Sequence, residues 1–517
     1  MARGTAVCPS DVIVPVILLP GIMGSRLQSG NRTVWDPDNS MLMLQLYGAN
    51  AGTVPGPDPF RTRERRNVRE AAATRKALLV GNRFNKNFLK PIEFAQVDGL
   101  TSGQVARNWS SVSLTSYGQI LREMETSFPL WLTNKVRAVN PQFNLVKMPV
   151  YACGYNWSGS NYDSGRAAAV HIKKWVAEAR EWAASNNAQC PGAILVTHSM
   201  GGFVARSAAL MHGVADDILT VLSTVIPTDG APAAYKRFHF GFENPGWGEG
   251  VTGLGGYVVL GRQGALVTAL LGHMPGAQEL LPNKRYVSNN GSRQWLHILN
   301  PERNIIGNLI SGGEGYLHLP QSNPYTEIYR RVDRMYRAAN PEWLFPEGLS
   351  NGDPFDEFLR HNEVAEAWHD RISSVGDFHE LTFICHSADA GMLTYDHISW
   401  SPDMTAGSLG RSVNEGQLTT EAGSSPDYRR EHVIWGEEGD KHIDGGYLGF
   451  GTDWAIAQAT GAGDRTVPIS ASTLRISGSR RTAHSPGYEH EAAIRAPVVT
   501  NWIRERMMEV LSQCELY

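Results

Sequence analysis

The sequence predicts an α/β fold with a mostly parallel, doubly wound sheet and a large inserted cap. Segments rich in β-branched residues alternate along the chain with segments of helical periodicity, and that order is typical of a parallel sheet with helices on both faces. The first segment, VIVPVILL at residues 12–19, is continuously apolar, as expected of a strand buried on both faces.

The alternation can be followed along the chain after an irregular insertion at residues 38–111. Periodicity predicts helix 116–128, strand 143–157, helix 164–184, strand 192–198, helix 201–212, strand 218–226, strands 380–388 and 472–479, and a closing helix over 490–511. Tyr117, Ile120, Leu121 and Met124 share one face of the first helix, and Ile172, Val176 and Ala179 share one face of the second.

The alternation stops over residues 235–375, a segment too long to be a simple connection. We therefore predict a core made of residues 1–234 and 376–517, with a cap or lid inserted at 235–375. The apolar, glycine-studded stretch at 256–272 fits either a mobile lid or plain cap core. The basic stretch at 61–76 is predicted to be a solvated helix or loop, and attraction to anionic head groups is the alternative.

Composition limits the partners, cofactors and cellular location that we expect. A formal charge of −4 gives no reason to expect nucleic acid as a partner. The five cysteines are scattered without a C-x-x-C pair, so we expect reduced thiols without a zinc site, and one disulfide is the alternative. We expect no metal and no cofactor. The stretch DVIVPVILLPGIMGS at residues 11–25 could pass for the core of a signal peptide, but Asp11 at its start and the interruptions at Pro15 and Pro20 make it a poor one. We expect a protein that is cytoplasmic as synthesised, with export without a cleaved signal as the alternative.

The stretch AILVTHSMGG at residues 193–202 predicts the chemistry. A strand pattern ends at a polar triplet and passes through two glycines into a helical pattern, which is typical of a serine nucleophile on a sharp turn, usually G-x-S-x-G. Ser199 is the predicted nucleophile, with Thr197 in place of the first glycine. Gly201 is required because a side chain there would collide across the turn. The alternative is an ordinary turn whose serine caps the helix.

A serine nucleophile needs an acid and a base, which follow it in that order in a sheet of this kind. Asp464 lies in the loop GAGDRTVPIS, predicted to precede an apolar strand, and Asp453 is the weaker alternative. His490 lies in a loop before the last helix, with His484 as its competitor. The imidazole would take the serine proton and return it, while the carboxylate would fix the imidazole tautomer.

The negative charge that develops on the carbonyl oxygen of the substrate needs hydrogen-bond donors in fixed positions, and backbone amides meet this need. We predict one donor at the amide of Met200, directly after the nucleophile. The second is predicted in the turn PGIMGS after the first strand, at the amide of Ile22 or Met23.

Several motifs together resemble the lecithin–cholesterol acyltransferase family, which also holds group XV phospholipases and phospholipid:diacylglycerol acyltransferases. They are PVILLPGIMGSRL (15–27), TVWDP (33–37), YACGYNWSGSN (151–161), VTHSMGG (196–202), PGAQELLP (275–282) and GAGDRTVPISAS (461–472). The resemblance implies an α/β-hydrolase fold and the same triad and oxyanion donors. It also implies that Trp35 lies near the acyl or leaving group.

The sequence departs from this family at four positions. Thr197 replaces Ala or Gly, Asn156 and Ser158 replace the Asp and Arg of a Y-D-W-R motif, and Arg465 replaces a glycine. The changes at 156 and 158 put transacylation in doubt and do not touch the triad.

These features predict a serine-dependent ester hydrolase of the lipase or phospholipase A type, acting on a lipid or other acyl ester and making transient contact with membrane surfaces. The alternatives are a lipid acyltransferase, or a secreted antibacterial phospholipase toxin with an immunity protein as its partner. A non-enzymatic scaffold is disfavoured because no member of the triad is missing.

Overall fold

The computed structural model describes most of the chain. The described residues are 10–47, 61–82, 85–86, 89–242, 261, 264–299, 302–303, 309–311, 316–331, 336–339, 343–344, 346, 355–402, 430–436, 439–441, 452–473, 476 and 478–514. Residues 256–260 and 262–263 of the predicted lid stretch lie outside them.

A six-stranded, fully parallel sheet forms the centre of the molecule. In chain order its strands are β1 (Val16–Leu19), β2 (Val150–Ala152), β3 (Ala193–His198), β4 (Ile218–Thr224), β5 (Thr382–Ser387) and β6 (Arg481–His484). In space the order is β6-β5-β4-β3-β1-β2. The carboxyl ends of β1, β3 and β4 therefore lie side by side at the middle of the sheet.

Nine longer helices accompany the sheet in the described part of the chain. They are α1 (Ser40–Tyr47), α2 (Arg61–Leu79), α3 (Leu114–Val139), α4 (Asn161–Ser185), α5 (Gly201–Met211), α6 (Pro232–Phe240), α7 (Gly264–Leu271), α8 (Phe355–Ser374) and α9 (Pro497–Ser512). Short helices lie at Ser102–Ala106, Pro275–Gln278 and Ile469–Thr473, a π-helical turn at Tyr325–Tyr329, and 3₁₀ turns at Trp109–Ser111, Ala215–Asp217, Gly478–Arg480 and Ala493–Arg495.

The sheet is buried on both faces, as the continuous apolar run predicts. Ile17 and Leu19 of β1 face a core shared with α4 and α5. Val16 and Leu18 face the opposite core, shared with α3 and α9. Successive side chains of a strand point to opposite faces, so an apolar residue is needed at every position. The faces predicted for α3 and α4 are confirmed, because all seven of the residues named for them are buried.

Smaller sheets surround the central one. A second six-stranded sheet has the order Tyr316–Leu319, Leu296–Leu299, Ile398–Pro402, Thr452–Ile456, Arg430–Gly436, Gly439–Lys441. Two three-stranded sheets have the orders Ala188–Gln189, Ser10–Ile13, Phe143–Lys147 and Arg32–Trp35, Leu27–Ser29, Leu89–Pro91. Pairs of strands form at Gly81–Asn82 with Asn85–Lys86, Glu302–Arg303 with Leu309–Ser311, and Asp389–Thr394 with Gly461–Gly463.

Two predicted strands are each split in two. Residues 12–19 divide between Ser10–Ile13 and β1, and residues 143–157 divide between Phe143–Lys147 and β2. The breaks fall at Pro15 and Pro149, which lack the N–H that a continuous ladder requires. The two breaks lie side by side, since the amide of Val16 donates to the Pro149 carbonyl at 2.9 Å. The first halves pair in a separate three-stranded sheet.

Other predicted elements are corrected in the second half of the chain. The segment after Asp464 starts the short helix Ile469–Thr473 instead of a strand, and the edge strand β6 follows only at Arg481–His484. The closing helix begins at Pro497 rather than at residue 490, because a proline favours the first turn of a helix.

The insertion at 38–111 is less irregular than predicted, since it holds α1 and α2. The basic stretch 61–76 is helical, as predicted, but its end is not solvated. Arg75 is buried and donates to the carbonyl oxygens of Ala71 and Tyr47, and the buried Lys76 donates to the carbonyl oxygen of Leu344. None of the helices within the described ranges has the length and apolar character that crossing a membrane requires.

Candidate active site

Ser199 lies on a sharp turn between β3 and α5. Its φ of 52° is in the left-handed region, which a residue other than glycine rarely adopts. The amide of Ser199 donates to the Thr224 carbonyl at the end of β4, at 2.9 Å, and this bond holds the turn in place. A Cβ added to Gly201 would lie 2.5 Å from the carbonyl oxygen of Pro20, so only glycine fits there. The predicted reason for Gly201 is therefore confirmed.

Thr197 fits the position where glycine is usual because its side chain finds a partner on the neighbouring strand. Its hydroxyl donates to the Ser223 hydroxyl at 3.0 Å, and the two residues are paired in the β3–β4 ladder. The Thr197 carbonyl accepts a hydrogen bond from the Thr224 hydroxyl at 2.9 Å. Thr197 is fully buried, and its polar atoms are satisfied within the sheet.

The structure brings the three predicted side chains together. The His490 Nε2 atom lies 2.7 Å from the Ser199 hydroxyl, and His490 Nδ1 lies 2.7 Å from the Oδ2 atom of Asp464. A carboxylate can only accept, so Nδ1 carries a proton and Nε2 is free to accept the serine proton. The three residues come from the turn after β3, the loop before the helix Ile469–Thr473, and the loop after β6.

Asp464 is fixed before any reaction begins. Its Oδ1 atom accepts hydrogen bonds from the amides of Thr466 at 3.0 Å and Val467 at 2.6 Å. Its backbone carbonyl accepts from the amide of His490 at 2.9 Å, which ties the two loops together. Only 1 % of Asp464 is exposed, so water does not compete for the bond to the imidazole.

Arg465 takes the place of a glycine and keeps the conformation that a glycine would favour. Its φ is 71°, and its guanidinium forms an ion pair with Glu489 at 3.0 Å. The acid-bearing loop therefore tolerates the departure from the family pattern.

The competing candidates lie elsewhere. His484 is on the edge strand β6, where its Nδ1 atom lies 3.0 Å from the Tyr488 hydroxyl and burial lowers its pKa. Asp453 is on the strand Thr452–Ile456 of the second six-stranded sheet, whereas Asp464 contacts the imidazole directly. The geometry favours His490 and Asp464 over both alternatives.

The predicted oxyanion turn, residues 20–25, follows β1 and lies against the turn that carries Ser199, here called the elbow, since a Cβ added to Gly21 would lie 3.1 Å from the Cβ of Ser199. Met23 has a φ of 64°, and its carbonyl accepts a hydrogen bond from the Trp35 indole nitrogen at 2.9 Å. Within the part of the chain that the structure describes, the amides of Ile22, Met23 and Met200 form no hydrogen bond with the protein. These amides thus remain available as donors to a substrate oxygen.

Trp35 is more deeply buried than a residue that lines an open acyl site would be. It is 3 % exposed and packs edge-on against Trp157, at 5.0 Å between ring centroids, and against Tyr47, at 6.0 Å. Its indole N–H is used by the carbonyl of Met23. In this structure Trp35 supports the oxyanion turn, and contact with the acyl or leaving group stays a prediction.

Asn156 and Ser158 bond to each other. The Asn156 Oδ1 atom accepts from the Ser158 amide at 3.2 Å and from the Ser158 hydroxyl at 2.7 Å. The charged pair of the family motif is therefore replaced by a neutral local turn.

The segment PGAQELLP packs onto this end of the sheet. The buried Glu279 carboxylate accepts hydrogen bonds from the Ser160 hydroxyl at 2.7 Å and from the Asn161 amide at 2.8 Å, at the start of α4. Burial outweighs these bonds and raises the pKa of Glu279 to about 7. A Cβ on Gly276 would lie 2.8 Å from the Trp157 carbonyl oxygen, so the segment and the loop after β2 are in tight contact.

No group of three or more His, Cys, Asp or Glu residues that could hold a metal ion is found among the residues the structure describes.

Comparison with known proteins supports the same architecture. A family model described as a PGAP1-like alpha/beta domain matches residues 167–245, which include the elbow. A chain of the Tle4–Tli4 complex is similar over 98% of this chain and 99% of its own length, with a TM-score of 0.65 and 21% identity. This chain has the α/β-hydrolase fold.

A weaker similarity links the chain to phospholipase PlaB from Legionella pneumophila, over 56% of this chain and 74% of that one. Its TM-score of 0.18 and identity of 11% are too low to carry an argument. Among curated proteins no sequence matches significantly. The α/β-hydrolase fold is established by the sheet order and by the similarity over the whole chain, while membership of the lecithin–cholesterol acyltransferase family stays a prediction.

Sequence reasoning missed two polar residues at the site, Tyr117 and His198. The Tyr117 hydroxyl accepts from the amide of Gly21 at 2.9 Å and lies 3.1 Å from the His198 Nδ1 atom. The His198 Nε2 atom lies 2.8 Å from the carbonyl oxygen of His490. The position of His198, directly before the nucleophile, was the one sequence signal that pointed to it.

Proposed function

We propose that the protein is a serine-dependent ester hydrolase of the lipase or phospholipase A type, which acts through an acyl-serine intermediate. The observation that carries this proposal is the pair of hydrogen bonds that link Ser199 to His490 and His490 to Asp464. Ser199 lies on a turn that leaves backbone amides free to bind an oxyanion. An ordinary helix-capping serine would not need an imidazole at 2.7 Å from its hydroxyl.

The proposed reaction begins when His490 Nε2 takes the proton of the Ser199 hydroxyl as the oxygen attacks the ester carbonyl. The carbonyl oxygen becomes negative and is held by the amides of Met200 and of Ile22 or Met23. The imidazolium then gives its proton to the leaving alcohol, which departs and leaves the acyl-serine. A water molecule, activated by the same imidazole, releases the acid and restores the serine. Throughout, Asp464 stabilises the imidazolium.

The lipid nature of the substrate rests on two lines of support. The α/β-hydrolase fold is shared with lipases and esterases, and the motifs that resemble the lecithin–cholesterol acyltransferase family belong to enzymes that act on lipids. We propose a core of residues 1–234 and 376–517, with a cap at 235–375 that shapes the lipid site. Hydrolysis is preferred to acyl transfer because the neutral pair Asn156 and Ser158 replaces the charged pair of the family motif.

A second candidate concerns the biological role. The similar chain of known structure was solved as part of a Tle4–Tli4 complex. By analogy we propose an exported antibacterial enzyme with an immunity protein as its partner, which would cover the cleft at the carboxyl ends of the strands. A lipid-turnover enzyme without such a partner is the alternative. If the product of a neighbouring gene bound this protein tightly and stopped its hydrolysis, the role as an antibacterial enzyme would be favoured.

The proposed chemistry can be tested in two steps. A fluorophosphonate probe should label the full-length protein, and the modified peptide should contain Ser199; a label on another serine would show that the nucleophile is wrong. Purified protein is then incubated with phospholipids and acylglycerols, with and without an alcohol acceptor, and the products are analysed. We expect free fatty acid from the wild type and none from Ser199→Ala, at an unchanged unfolding temperature. Esters of the added alcohol would indicate a transferase instead.

A further inference from the structure

We infer that Tyr117 and His198 are positioning residues, which lock the oxyanion turn and the loop of the catalytic base into one rigid unit. The inference rests on the proposed function, since it concerns how the same site is held. Neither side chain is assigned a contact with the substrate or with the reacting atoms.

The hydrogen-bonded series runs from the amide of Gly21 through Tyr117 and His198 to the carbonyl of His490. The chemistry of these two end groups decides which atom donates and which accepts in every hydrogen bond between them. The carbonyl oxygen of His490 can only accept, so the His198 Nε2 atom must carry a proton and donate. The amide of Gly21 can only donate, so the Tyr117 oxygen accepts from it. The hydroxyl proton of Tyr117 is then free to be donated to the unprotonated Nδ1 atom of His198.

The protonation state agrees with this arrangement. Burial lowers the pKa of His198 to about 4, so the imidazole is neutral and one of its nitrogens is an acceptor. Burial also raises the pKa of the Tyr117 hydroxyl, which therefore keeps its proton. His198 is 4 % exposed and Tyr117 is 3 % exposed, so water does not replace either bond.

The series joins three parts of the site that are distant in sequence. Gly21 directly precedes Ile22, a proposed oxyanion donor, and His198 directly precedes Ser199. The carbonyl at the other end belongs to His490 itself. We therefore expect a movement of the loop that carries His490 to be transmitted to the oxyanion turn through the side chains of His198 and Tyr117.

The surrounding backbone is built to admit these side chains. A Cβ on Gly21 would lie 2.9 Å from the His198 Nδ1 atom, and a Cβ on Gly24 would lie 2.7 Å from the Tyr117 hydroxyl oxygen. Both glycines of the oxyanion turn are therefore required by the hydrogen-bonded series itself. This requirement is separate from the bending of the turn that the sequence suggests.

Tyr117 is held by the start of α3. The carboxylate of Asp38 accepts hydrogen bonds from the amides of Leu114 at 2.6 Å and Thr115 at 3.0 Å, and from the hydroxyl of Ser113 at 2.6 Å. The next residue, Ser116, donates its hydroxyl to the carboxylate of Glu491, which is next to the proposed base, at 3.0 Å. The first turn of α3 thus gives Tyr117 a fixed position relative to both loops.

The test uses the rate at which a fluorophosphonate inactivates Ser199, because this rate needs the base and the oxyanion donors but no lipid. Tyr117→Phe removes one hydroxyl and leaves two buried groups, the Gly21 amide and the His198 Nδ1 atom, without partners. We expect the limiting inactivation rate to fall about 10- to 100-fold, as small displacements of reacting groups do, with an unchanged half-saturating probe concentration. His198→Ala should lower the same rate, and the double variant should be no slower than the slower single variant.

Two control variants separate positioning from general stability. Thr220→Val removes a buried hydroxyl that donates to the Leu381 carbonyl at 2.8 Å, near the start of β4, and should leave the rate unchanged. Tyr155→Phe removes the other tyrosine hydroxyl that binds the oxyanion turn, at the Pro20 carbonyl at 2.9 Å, without touching His198. If Tyr155→Phe slowed inactivation as much as Tyr117→Phe, the link to the base loop would be refuted.

The remaining outcomes are also decisive. A wild-type rate in Tyr117→Phe overturns the inference, and so does additive slowing in the double variant. If His198→Ala does not fold, the comparison of Tyr117→Phe with its two controls decides alone. A wild-type protein that is labelled at Ser199 but releases no fatty acid contradicts the proposed lipid substrate and leaves this test intact. A wild-type protein that is not labelled contradicts the serine mechanism itself.

Discussion

The change Asp464→Asn tests the proposed triad most sharply, because the structure dictates how the new amide must orient. The Oδ1 position accepts hydrogen bonds from the amides of Thr466 and Val467, so the amide oxygen of asparagine has to stay there. The NH₂ group is then forced toward His490 Nδ1, at the 2.7 Å position now held by Oδ2. An N–H donor at that point requires Nδ1 to be unprotonated.

The wrong tautomer of the imidazole follows from this orientation. With Nδ1 unprotonated, the proton of neutral His490 moves to Nε2, which can no longer accept the proton of Ser199. The same exchange in a serine protease lowers kcat by about 10⁴-fold, which corresponds to about 5 kcal/mol of lost transition-state stabilisation. The size and shape of the side chain are unchanged, so the unfolding temperature should stay close to that of the wild type.

The assay is the steady-state hydrolysis of a soluble aryl ester, combined with thermal unfolding. Asp453→Asn is the matched control, because Asp453 is the other acid that the sequence offers, and it should keep wild-type kcat/KM. Activity within about tenfold of the wild type in Asp464→Asn, a difference of only ~1.4 kcal/mol, would refute the reasoning. Loss of activity in Asp453→Asn alone would transfer the acid role to that residue.

Three more predictions concern the base, the elbow and the cap. His490→Ala should abolish ester hydrolysis and His484→Ala should not, as measured by kcat; the reverse result would exchange the two roles. Gly201→Ala should lower kcat about 10²-fold and destabilise the fold by about 1–3 kcal/mol, because its Cβ would lie 2.5 Å from the Pro20 carbonyl oxygen. Gly103→Ala is the control, since the nearest atom to its Cβ would belong to a flexible arginine side chain at 3.5 Å. This variant should keep the wild-type kcat and unfolding temperature. Glu279 keeps its proton up to about pH 7 when folded, against a usual value of 4.5, so the fold should lose stability as pH rises between these values. Glu279→Gln should flatten this slope in unfolding temperatures measured from pH 5 to pH 8, and an equal slope in both proteins would contradict the role of that carboxyl.

The sequence predicts the parts of the site that depend on local geometry. The turn that carries Ser199 can be recognised from neighbouring residues alone, because the carbonyl of Pro20 leaves room only for glycine two residues after Ser199. The order of acid and base follows from the order of strands in the sheet. For these reasons the residues that form the series Ser199, His490 and Asp464 could be named in advance.

Other features depend on contacts between distant segments and left no local signature. The pairing of Tyr117 with His198 joins residues 81 positions apart, and a single buried histidine gives no hint of its tautomer. The apolar runs at 12–19 and 143–157 look continuous, but side-by-side prolines at 15 and 149 divide both at the same level of the sheet. The helix after Asp464 was missed because TVPISAS has the β-branched composition of a strand, and packing decides its conformation.

The position of the proposed base along the chain has a consequence for biosynthesis. His490 lies in the loop after the last strand of the central sheet, and α9 behind it completes one of the two hydrophobic cores. Domains form from the N-terminus as the chain leaves the ribosome, so the proposed nucleophile, both proposed oxyanion segments and most of the sheet are made well before the imidazole of His490 can reach Ser199. We therefore expect the nascent polypeptide to lack the proposed base at Ser199 until β6, the loop that carries His490 and α9 have been made and have folded.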